Sequence, residues 1–323
     1  MCTSINFKTK DHYFGRTLDM YFSYEQKIII TPRKYRIKFK QLGECNNHFA
    51  IIGTGVVENG YPLYFDAANE KGLCVAALNF PDYCVYNRFY DKKLNVTPYE
   101  LILWILTKYE DIDELLNIIN DVNIVDLDFS TELPCSPLHW MVSDKNKSIV
   151  IEQTKEGLKV VENKIGVLTN SPPFEFQMVN LSNYMNLSPY EPKNEFNKLE
   201  LKPYSFGLGA FGLPGDLSST SRFVRAAFTK HNSVCANDEI SSVTQFFHIM
   251  STVSQTDGCN IVFKDCGEKT MYTSCYNSDR GIYYYNTYSN NQINAIDINK
   301  EDLEKDRLIT YDFIDQQKIN YQN

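Results

Sequence analysis

Residues 2–18 have the sequence CTSINFKTKDHYFGRTL, which contains two β-rich runs around a short polar stretch. The runs cover residues 2–7 and 13–18, and the polar residues 8–12 between them have the composition of a turn. This pattern is typical of a β-hairpin. A hairpin here would return the chain to its own start, so that residues at the end of the second run lie beside Cys2.

Cys2 is the first candidate for chemistry because it directly follows Met1. We expect Met1 to be removed, since aminopeptidase trimming favours a small second residue, and the cysteine would then carry both a thiol and a free α-amine. A thiol is a nucleophile, and an α-amine, whose ordinary pKa is about 7.7–8.0, can act as its base at neutral pH. A buried structural thiol is the alternative that Cys2 by itself leaves open.

Arg16 and Asp19 lie at the end of the second run and are the expected partners of Cys2. In the hairpin, the Asp19 carboxylate would accept a hydrogen bond from the terminal amine and orient it. The Arg16 guanidinium would favour the thiolate through its positive charge. A surface ion pair without a catalytic role is the competing interpretation.

Asn79 and Asn170 each end an apolar run and stand just before a proline-containing turn. Side-chain amides in such places can stabilise a developing oxyanion without adding charge, although asparagine also favours strand ends for conformational reasons alone. Arg222 is predicted to lie in the first turn of a helix, which is an unfavourable place for a cation. We therefore expect Arg222 to have a partner elsewhere, either a carboxylate of the site or an anionic group of the substrate.

The composition is that of a globular protein, with 323 residues, a net charge of −8 and 43% hydrophobic residues. The negative charge argues against nucleic acid and against a polybasic membrane patch, and no apolar run reaches the ~18–20 residues of a membrane span. The nine cysteines form no CxxC pair and the five histidines no metal-binding spacing, so neither a metal nor a cofactor is expected. With no export signal, we expect reduced thiols and a cytoplasmic location.

Strands, two helices, strands, helices and strands follow one another along the chain, an order that favours an α+β layered fold. No repeat or linker divides the chain, so residues 1–323 are expected to form one domain. Helices are predicted to begin at Thr97 and Asp111 and to cover residues 174–186, 220–230 and 238–253. The first two show a capping residue with a glutamate three residues later, the capping-box pattern.

Three further stretches have informative patterns. Residues 138–168 alternate β-rich runs with short polar turns and are predicted to form an antiparallel meander. Residues 207–212, GLGAFG, match the dinucleotide pattern GxGxxG, but nearby prolines exclude the strand and the helix that this motif requires, so we expect a loop. The last predicted helix would bury one apolar face, formed by Ile240, Val243, Phe247 and Met250.

Across nearly its whole length the chain resembles the choloylglycine hydrolase family, and in particular its bile salt hydrolases. A single tripeptide would be a weak signal, but the motifs follow one another in the family's order, which is specific. They are Met1-Cys2-Thr3, Phe14-Gly15-Arg16-Thr17-Leu18-Asp19, Asn69-Glu70-Lys71-Gly72-Leu73, Leu78-Asn79-Phe80-Pro81, Leu138-His139-Trp140, Leu168-Thr169-Asn170-Ser171-Pro172, Gly212-Leu213-Pro214-Gly215-Asp216, Ser221-Arg222-Phe223 and Tyr283-Tyr284-Tyr285-Asn286-Thr287-Tyr288.

The resemblance implies a four-layer αββα sandwich of the N-terminal-nucleophile hydrolase type, usually assembled as a homotetramer. The implied reaction cleaves the amide bond of glycine- or taurine-conjugated bile salts, such as glycocholate and taurocholate, through a thioester that other amines can also accept. By position, a nucleophile and its surroundings are implied at Cys2, Arg16, Asp19, Asn79, Asn170 and Arg222. An apolar substrate wall is implied at Leu18, Phe65, Phe129 and Leu133, for which ordinary core packing is the alternative.

Three other functions remain open at this point. Penicillin V acylase is the sister type of the same family, and its members are similar in carrying a tyrosine where this chain has Asn79, which favours bile salts. Glutamine amidotransferases that begin at cysteine resemble the sequence Met-Cys-Gly, whereas Thr3 stands here. A non-catalytic bile-acid-binding protein on the same scaffold would require the loss of a catalytic residue, and none is missing.

Overall fold

The hairpin expected at the start of the chain is present in a computed structural model that describes residues 1–323. Strand β1 (Cys2–Lys8) pairs with β2 (His12–Met20) in an antiparallel register that sets Cys2 opposite Leu18. A further strand packs against the other edge of β2, so closely that a Cβ atom at Gly15 would overlap the Ser274 carbonyl oxygen. Only glycine fits at this position, which explains the Phe-Gly-Arg sequence of β2.

The chain forms five α-helices and twenty strands. The helices are α1 (Leu101–Lys108), α2 (Ile112–Leu116), α3 (Phe174–Leu181), α4 (Ser219–Asn232) and α5 (Glu239–Ser251). The strands after β1 and β2 are β3 (Lys27–Thr31), β4 (Ile37–Phe39), β5 (Gly43–Cys45), β6 (Ile51–Glu58), β7 (Tyr61–Asn69), β8 (Cys74–Asn79), β9 (Leu94–Val96), β10 (Val122–Ile124), β11 (Leu138–Ser143), β12 (Ser148–Thr154), β13 (Gly157–Glu162), β14 (Val167–Leu168), β15 (Ile261–Phe263), β16 (Cys266–Gly267), β17 (Lys269–Asn277), β18 (Ile282–Thr287), β19 (Asn294–Asp297) and β20 (Ile309–Tyr311). Short 3₁₀ helices cover Pro98–Glu100, Ile119–Asp121, Ser182–Tyr184, Leu208–Ala210 and Ile298–Lys300.

Two large antiparallel sheets carry the fold. The first has six strands in the order β14-β1-β2-β17-β18-β19, and the second has eight in the order β13-β12-β11-β8-β7-β6-β3-β20. Helices α4 and α5 pack on the first sheet, α1 packs on the second, and the sheets meet where β1 and β2 approach β8. The layers therefore run helix, sheet, sheet, helix, which confirms the predicted α+β fold and its αββα sandwich.

The eight-stranded sheet is buried on both faces. Successive side chains of a strand point to opposite faces, so that in β3 Ile28 and Ile30 join the cluster between the two sheets, whereas Ile29 joins the cluster beneath α1. In β8, Leu78 joins the cluster between the sheets and Val75 joins the cluster beneath α1. Full burial of each such side chain contributes about 1.5–3 kcal/mol, which explains the almost continuous apolar runs of these strands.

The two predicted capping boxes have different outcomes. The Asp111 carboxylate accepts a hydrogen bond from the Glu114 backbone N–H at 2.9 Å, which confirms the start of α2. The box at Thr97 is wrong, because the Thr97 hydroxyl donates to the Glu100 carboxylate at 2.8 Å and the first turn is a 3₁₀ helix. The buried Glu100 carboxylate also accepts from the Tyr61 hydroxyl and is thereby drawn away from the helix start.

Two other predictions need correction. The meander over 138–168 holds for three strands, but Val167 leaves it and pairs with Ile5 of β1 in the other sheet. In α5, Ile240 is 79% exposed, and the buried face is completed instead by Phe246 and Ile249. Helical spacing alone shows which apolar residues share a face, but it does not show how far the contact between that face and the sheet extends.

The glycine-rich stretch 207–212 contains one turn of 3₁₀ helix and no regular strand, as the prolines around it predict. Gly207 and Gly212 have φ angles of 84° and 93°, which favour glycine. No helix of the structure combines the length and the apolar character that a membrane crossing requires.

Candidate active site

Cys2 lies at the edge of a cavity of about 800 Å³ that residues of both sheets line. The residue begins β1 and is only 3% exposed. The Arg16 Nη2 donates a hydrogen bond to the Cys2 sulfur, so the hairpin brings the two residues together as predicted. The contact places a positive charge directly beside the sulfur.

The Arg16 guanidinium is held by three backbone carbonyls. Its Nε donates to Thr17 O at 3.1 Å, and its Nη1 donates to Phe65 O at 3.1 Å and to Ala77 O. The last two carbonyls belong to the second sheet, so the contact between the sheets fixes the position of the cation. A buried guanidinium with its donors occupied in this way has little freedom to turn away from the sulfur.

Asp66 lies near Arg16, buried between the sheets. Its carboxylate accepts hydrogen bonds from Tyr272 at 2.5 Å, Tyr283 at 2.6 Å and Ser274 at 2.9 Å. Burial raises the pKa of Asp66, and the opposing charge of Arg16 reverses only part of this rise. Burial lowers the pKa of Arg16, but the cysteine thiolate, Tyr272 and Asp66 outweigh it, so that its pKa is raised and the guanidinium stays charged.

Asn170 holds the backbone of the nucleophile. Its Oδ1 accepts hydrogen bonds from the Cys2 backbone N–H at 2.8 Å and from the Arg222 Nη2 at 2.7 Å. Its Nδ2 donates to the Asn79 carbonyl at 2.7 Å. In this arrangement the Asn170 side chain positions its neighbours with its oxygen and one of its two N–H groups, and the residue does not line the cavity.

Arg222 lies in the first turn of α4, as predicted, and reaches the start of β1. Its Nη1 donates to Cys2 O at 2.5 Å and to Thr3 Oγ1 at 2.7 Å, while its Nε donates to Leu217 O at 3.1 Å. The partners are therefore neutral oxygens and not the carboxylate or substrate anion that the sequence led us to expect. Burial lowers the pKa of Arg222.

Asn79 is the last residue of β8, and its exposed side chain lines the cavity together with Cys2. Its backbone carbonyl is occupied by Asn170, but its side-chain amide has no hydrogen-bond partner within the protein. Of the two predicted oxyanion donors, Asn79 is thus the one that lines the cavity, and both N–H groups of its amide lack a partner within the protein.

Asp19 does not contact the Cys2 nitrogen in this structure, which retains Met1 and therefore leaves the predicted contact with a free α-amine untested. Its carboxylate accepts from Thr270 Oγ1 at 2.7 Å and from Gln255 Nε2 at 3.4 Å, while its backbone N–H donates to the Met1 carbonyl at 2.8 Å. The physical reason is that Met1 still precedes Cys2, so that the cysteine nitrogen is a peptide N–H with a single hydrogen, which Asn170 accepts.

The amine of Met1 is held within the same cavity. It donates to the Asp19 carbonyl oxygen at 2.6 Å and to the Glu268 carboxylate. Glu268 is only 4% exposed, and its second oxygen accepts from Asn260 Nδ2 at 2.9 Å. Sequence reasoning missed Glu268 and Asn260. The one signal for them is the apolar run 261–263, which predicts a strand beside them.

His139 lies behind both asparagines and was also missed as a site residue. Its ring stacks on Phe80, which follows Asn79, with centroids 4.4 Å apart and an angle of 6° between the planes. Its Nε2 lies 2.9 Å from the carbonyl oxygen of Thr169, which precedes Asn170. The histidine therefore links the two chain segments that carry the asparagines.

The four residues predicted to form an apolar wall all line the cavity, in which 18 of 25 lining residues are hydrophobic. Three segments, 21–26, 58–63 and 129–136, each contribute at least one further lining residue. The 260–268 hairpin forms a further part of the wall that sequence reasoning did not find. The predicted wall residues are Leu18, Phe65, Phe129 and Leu133.

One group of side chains has ligand atoms close enough to hold a cation, although no metal was predicted. Asp126, Asp128 and Cys135 place one ligand atom each within 4.8 Å of one another on a largely exposed loop. Burial raises the pKa of Cys135 to about 12, which disfavours the thiolate that binds metals. This group lies outside the contacts of Cys2 described above.

Residues 2–311 match the model of the linear amide C–N hydrolases, choloylglycine hydrolase family. The chain belongs to this family. The match includes every residue described above around Cys2 except Met1, and it confirms the family resemblance that the sequence motifs predicted.

Proteins similar to this choloylglycine hydrolase include a bile salt hydrolase/transferase of Lactiplantibacillus plantarum, 49% identical over 96% of both chains. A bile salt hydrolase/transferase of Clostridium perfringens is 40% identical over the full length of both chains. The crystal structure of the conjugated bile acid hydrolase from Clostridium perfringens superposes with a TM-score of 0.92, at 40% identity and full coverage of both chains. Penicillin V acylase from Agrobacterium tumefaciens shares the fold, with a TM-score of 0.75 at 19% identity over 96% of this chain and 91% of the other.

The arrangement in this choloylglycine hydrolase can perform amide chemistry. A buried sulfur contacts a guanidinium, a free amide points into the same space, and an apolar cavity can hold a bulky acyl group. These are the parts that nucleophilic acyl transfer requires: a nucleophile, an oxyanion donor and a binding site.

Proposed function

We propose that this protein is a bile salt hydrolase, which cleaves the amide bond of glycine- and taurine-conjugated bile acids. The observation that carries the proposal is the contact of Cys2 with Arg16 at the wall of a largely hydrophobic cavity. A steroid has a rigid apolar body, and a cavity of about 800 Å³ is large enough for a ligand of that size. The relatives named as bile salt hydrolases support the same substrate class.

The proposed reaction starts after removal of Met1, when Cys2 carries a free α-amine. The thiolate attacks the amide carbonyl, and the Asn79 side chain donates to the oxyanion that forms. The α-amine, which has taken the proton of the thiol, gives it to the departing nitrogen, so that glycine or taurine leaves and the acyl group remains on sulfur as a thioester. The amine then takes a proton from water, whose oxygen attacks the thioester and releases the bile acid.

The other residues around Cys2 have positioning roles in this proposal. Arg16 stabilises the thiolate, while Asn170 and Arg222 hold the backbone of Cys2. With Met1 removed, the new amine gains two hydrogens, and we propose that the Asp19 carboxylate then accepts one of them. Roles in substrate binding are proposed for the wall residues Leu18, Phe65, Phe129 and Leu133.

The test is a parallel assay of taurocholate, glycocholate and penicillin V with the purified, processed enzyme. Release of taurine or glycine supports the proposal, and turnover of penicillin V alone would refute it. Trapping the acylated enzyme should place the added mass on Cys2. Cys2→Ala should abolish turnover, whereas Cys45→Ala, which removes a thiol distant from the cavity, should retain it.

Removal of Met1 is itself a proposal. It is supported by the small side chain of Cys2 and by the need for a free amine beside the thiol. Intact mass of the active protein should lack one methionine, and an active protein of full mass would contradict the proposed base.

We further propose that residues 1–323 form one domain in a cytoplasmic homotetramer. The apolar side chains along residues 185–211 support assembly, since Met185 is 84%, Tyr190 79% and Phe206 94% exposed. Patches of this kind usually mark protein interfaces. Light scattering after size-exclusion chromatography should give four times the mass of the chain, and a monomer would exclude the tetramer.

A further inference from the structure

The cavity contains a place that already holds a primary ammonium group. The Met1 amine is bound there between the carbonyl oxygen of Asp19, at 2.6 Å, and the carboxylate of Glu268. Both Met1 and Glu268 line the cavity into which the Cys2 side chain opens. The ammonium belongs to the residue next to Cys2, so the place lies beside the nucleophile.

Glu268 forms a built site for a cation. The residue is only 4% exposed, and Asn260 Nδ2 fixes its Oε2 at 2.9 Å, which leaves Oε1 directed to the amine. The Met1 amine is the sole ion-pair partner of this carboxylate. Once Met1 is removed, a buried carboxylate without a partner costs stability unless another cation takes the place.

We propose that Glu268 and the Asp19 carbonyl form a subsite that binds the primary ammonium group of an acyl acceptor. This inference rests on the proposed function, because it assigns a partner to the Cys2 thioester. The chemical class that fits is a small primary amine, such as an amino acid or its amide. A neutral amine would gain much less from the buried carboxylate, since its hydrogen bond would lack the assistance of charge.

The transfer step follows from this position. The bound ammonium gives one proton to the Glu268 carboxylate, and the nitrogen lone pair then forms a bond to the thioester carbon. The carbon–sulfur bond breaks with its electron pair on the sulfur of Cys2, and a second proton of the amine nitrogen passes to that sulfur. The products are a new amide and the free thiol, and Glu268 finally releases its proton to solvent.

A competing occupant is the α-amine of Cys2 itself. In that case a change at Glu268 would affect hydrolysis of the thioester and transfer to every acceptor equally, because the α-amine assists both hydrolysis and transfer. The two possibilities therefore differ in whether a change at Glu268 discriminates between charged and uncharged acceptors.

The experiment measures how one thioester divides between water and an added amine. Taurocholate is supplied as acyl donor with either glycinamide, which is largely cationic at neutral pH, or hydroxylamine, which is largely uncharged. The ratio of amide product to free bile acid is independent of the amount of folded enzyme, because both products come from the same intermediate. Glu268→Gln should lower the ratio for glycinamide by about tenfold or more, the usual effect of losing a charge-assisted hydrogen bond, and that for hydroxylamine by less than about twofold.

Two further variants complete the test. Asp265→Asn removes a charge from the exposed loop of the same hairpin and should leave both ratios unchanged. Glu268→Asp keeps the charge on a shorter side chain and should give an intermediate ratio for glycinamide. An equal fall for both acceptors, or no fall for glycinamide, would overturn the inference while the proposed function stands. Absence of taurine release by the unmodified enzyme would instead refute the proposed function and this inference with it.

Discussion

Asn79→Ala is expected to lower kcat about 10²- to 10³-fold, because it removes the cavity-lining amide that we propose as the oxyanion donor. Loss of a single oxyanion donor costs about 2.7–4 kcal/mol of transition-state stabilisation, which corresponds to this range. The donor acts mainly when negative charge develops, so KM should stay within about threefold. Because the side chain is exposed and has no partner in the protein, the melting temperature should change little.

The assay is the release of taurine from taurocholate and of glycine from glycocholate over a range of substrate concentrations. Asn79→Asp should be at least as defective, because a carboxylate in the same place accepts hydrogen bonds and donates none. Asn117→Ala, which makes the same chemical change at an exposed residue after α2, serves as the control and should retain full activity.

A kcat for Asn79→Ala within fivefold of the unmodified enzyme would refute the assignment of the oxyanion donor to Asn79. In that case the second N–H of the Asn170 amide, which has no partner within the protein, would be the remaining candidate for this role. Asn170→Ala would then lose turnover to the same degree, together with the stability that its contacts with the Cys2 backbone and Arg222 provide.

Three other changes have defined outcomes. Arg222→Lys should lower kcat, and it should lower the free energy of unfolding by about 2–4 kcal/mol, because a single ammonium cannot reach the Cys2 carbonyl and Asn170 together. Turnover assays measure the first effect and chemical denaturation measures the second. Phe129→Ala should raise KM for taurocholate about tenfold and change kcat less, because it shortens the apolar wall of the cavity; unchanged KM would exclude contact with substrate. Burial lowers the pKa of His12 from 6.5 to about 4. As the pH falls through this range, the histidine of the unfolded chain takes up a proton before that of the folded chain does. The free energy of unfolding should therefore drop by about 3 kcal/mol between pH 6.5 and pH 4. His12→Gln should have a flatter stability profile from pH 7 to pH 4 in urea denaturation, and an equally steep profile would contradict the assignment.

Local sequence patterns predicted those parts of the site that local structure determines. The β1–β2 hairpin follows from alternating residues around a polar turn, and it brings Cys2 and Arg16 together without help from the rest of the chain. The positions of Asn79 and Asn170 after buried strands were also predictable, because an apolar run and a following proline mark the point where a strand ends.

The contacts of those residues could not be predicted, because they depend on how distant segments meet. Asn170 reaches Cys2 only since the short strand β14 leaves its own meander and pairs with β1. Only two residue pairs, Ser4 with Leu168 and Ile5 with Val167, make up this pairing, and two residues of sequence are too few to indicate it. Glu268 was missed for a related reason, since its place in the cavity depends on the hairpin 260–268 folding back over the chain start.

The fold also shows how the start of the chain is held in place. The first residues of most domains fray, because few contacts hold them. Here the nitrogen of Cys2 is bound by Asn170, its carbonyl by Arg222 and its sulfur by Arg16, and these partners come from three separate segments of the chain. Loss of any one contact would leave the sulfur free to turn, and a displacement of about 1 Å can cost a factor of 10² in rate. The buried polar groups around Cys2 are therefore best understood as the means by which a first residue is held as firmly as an internal one.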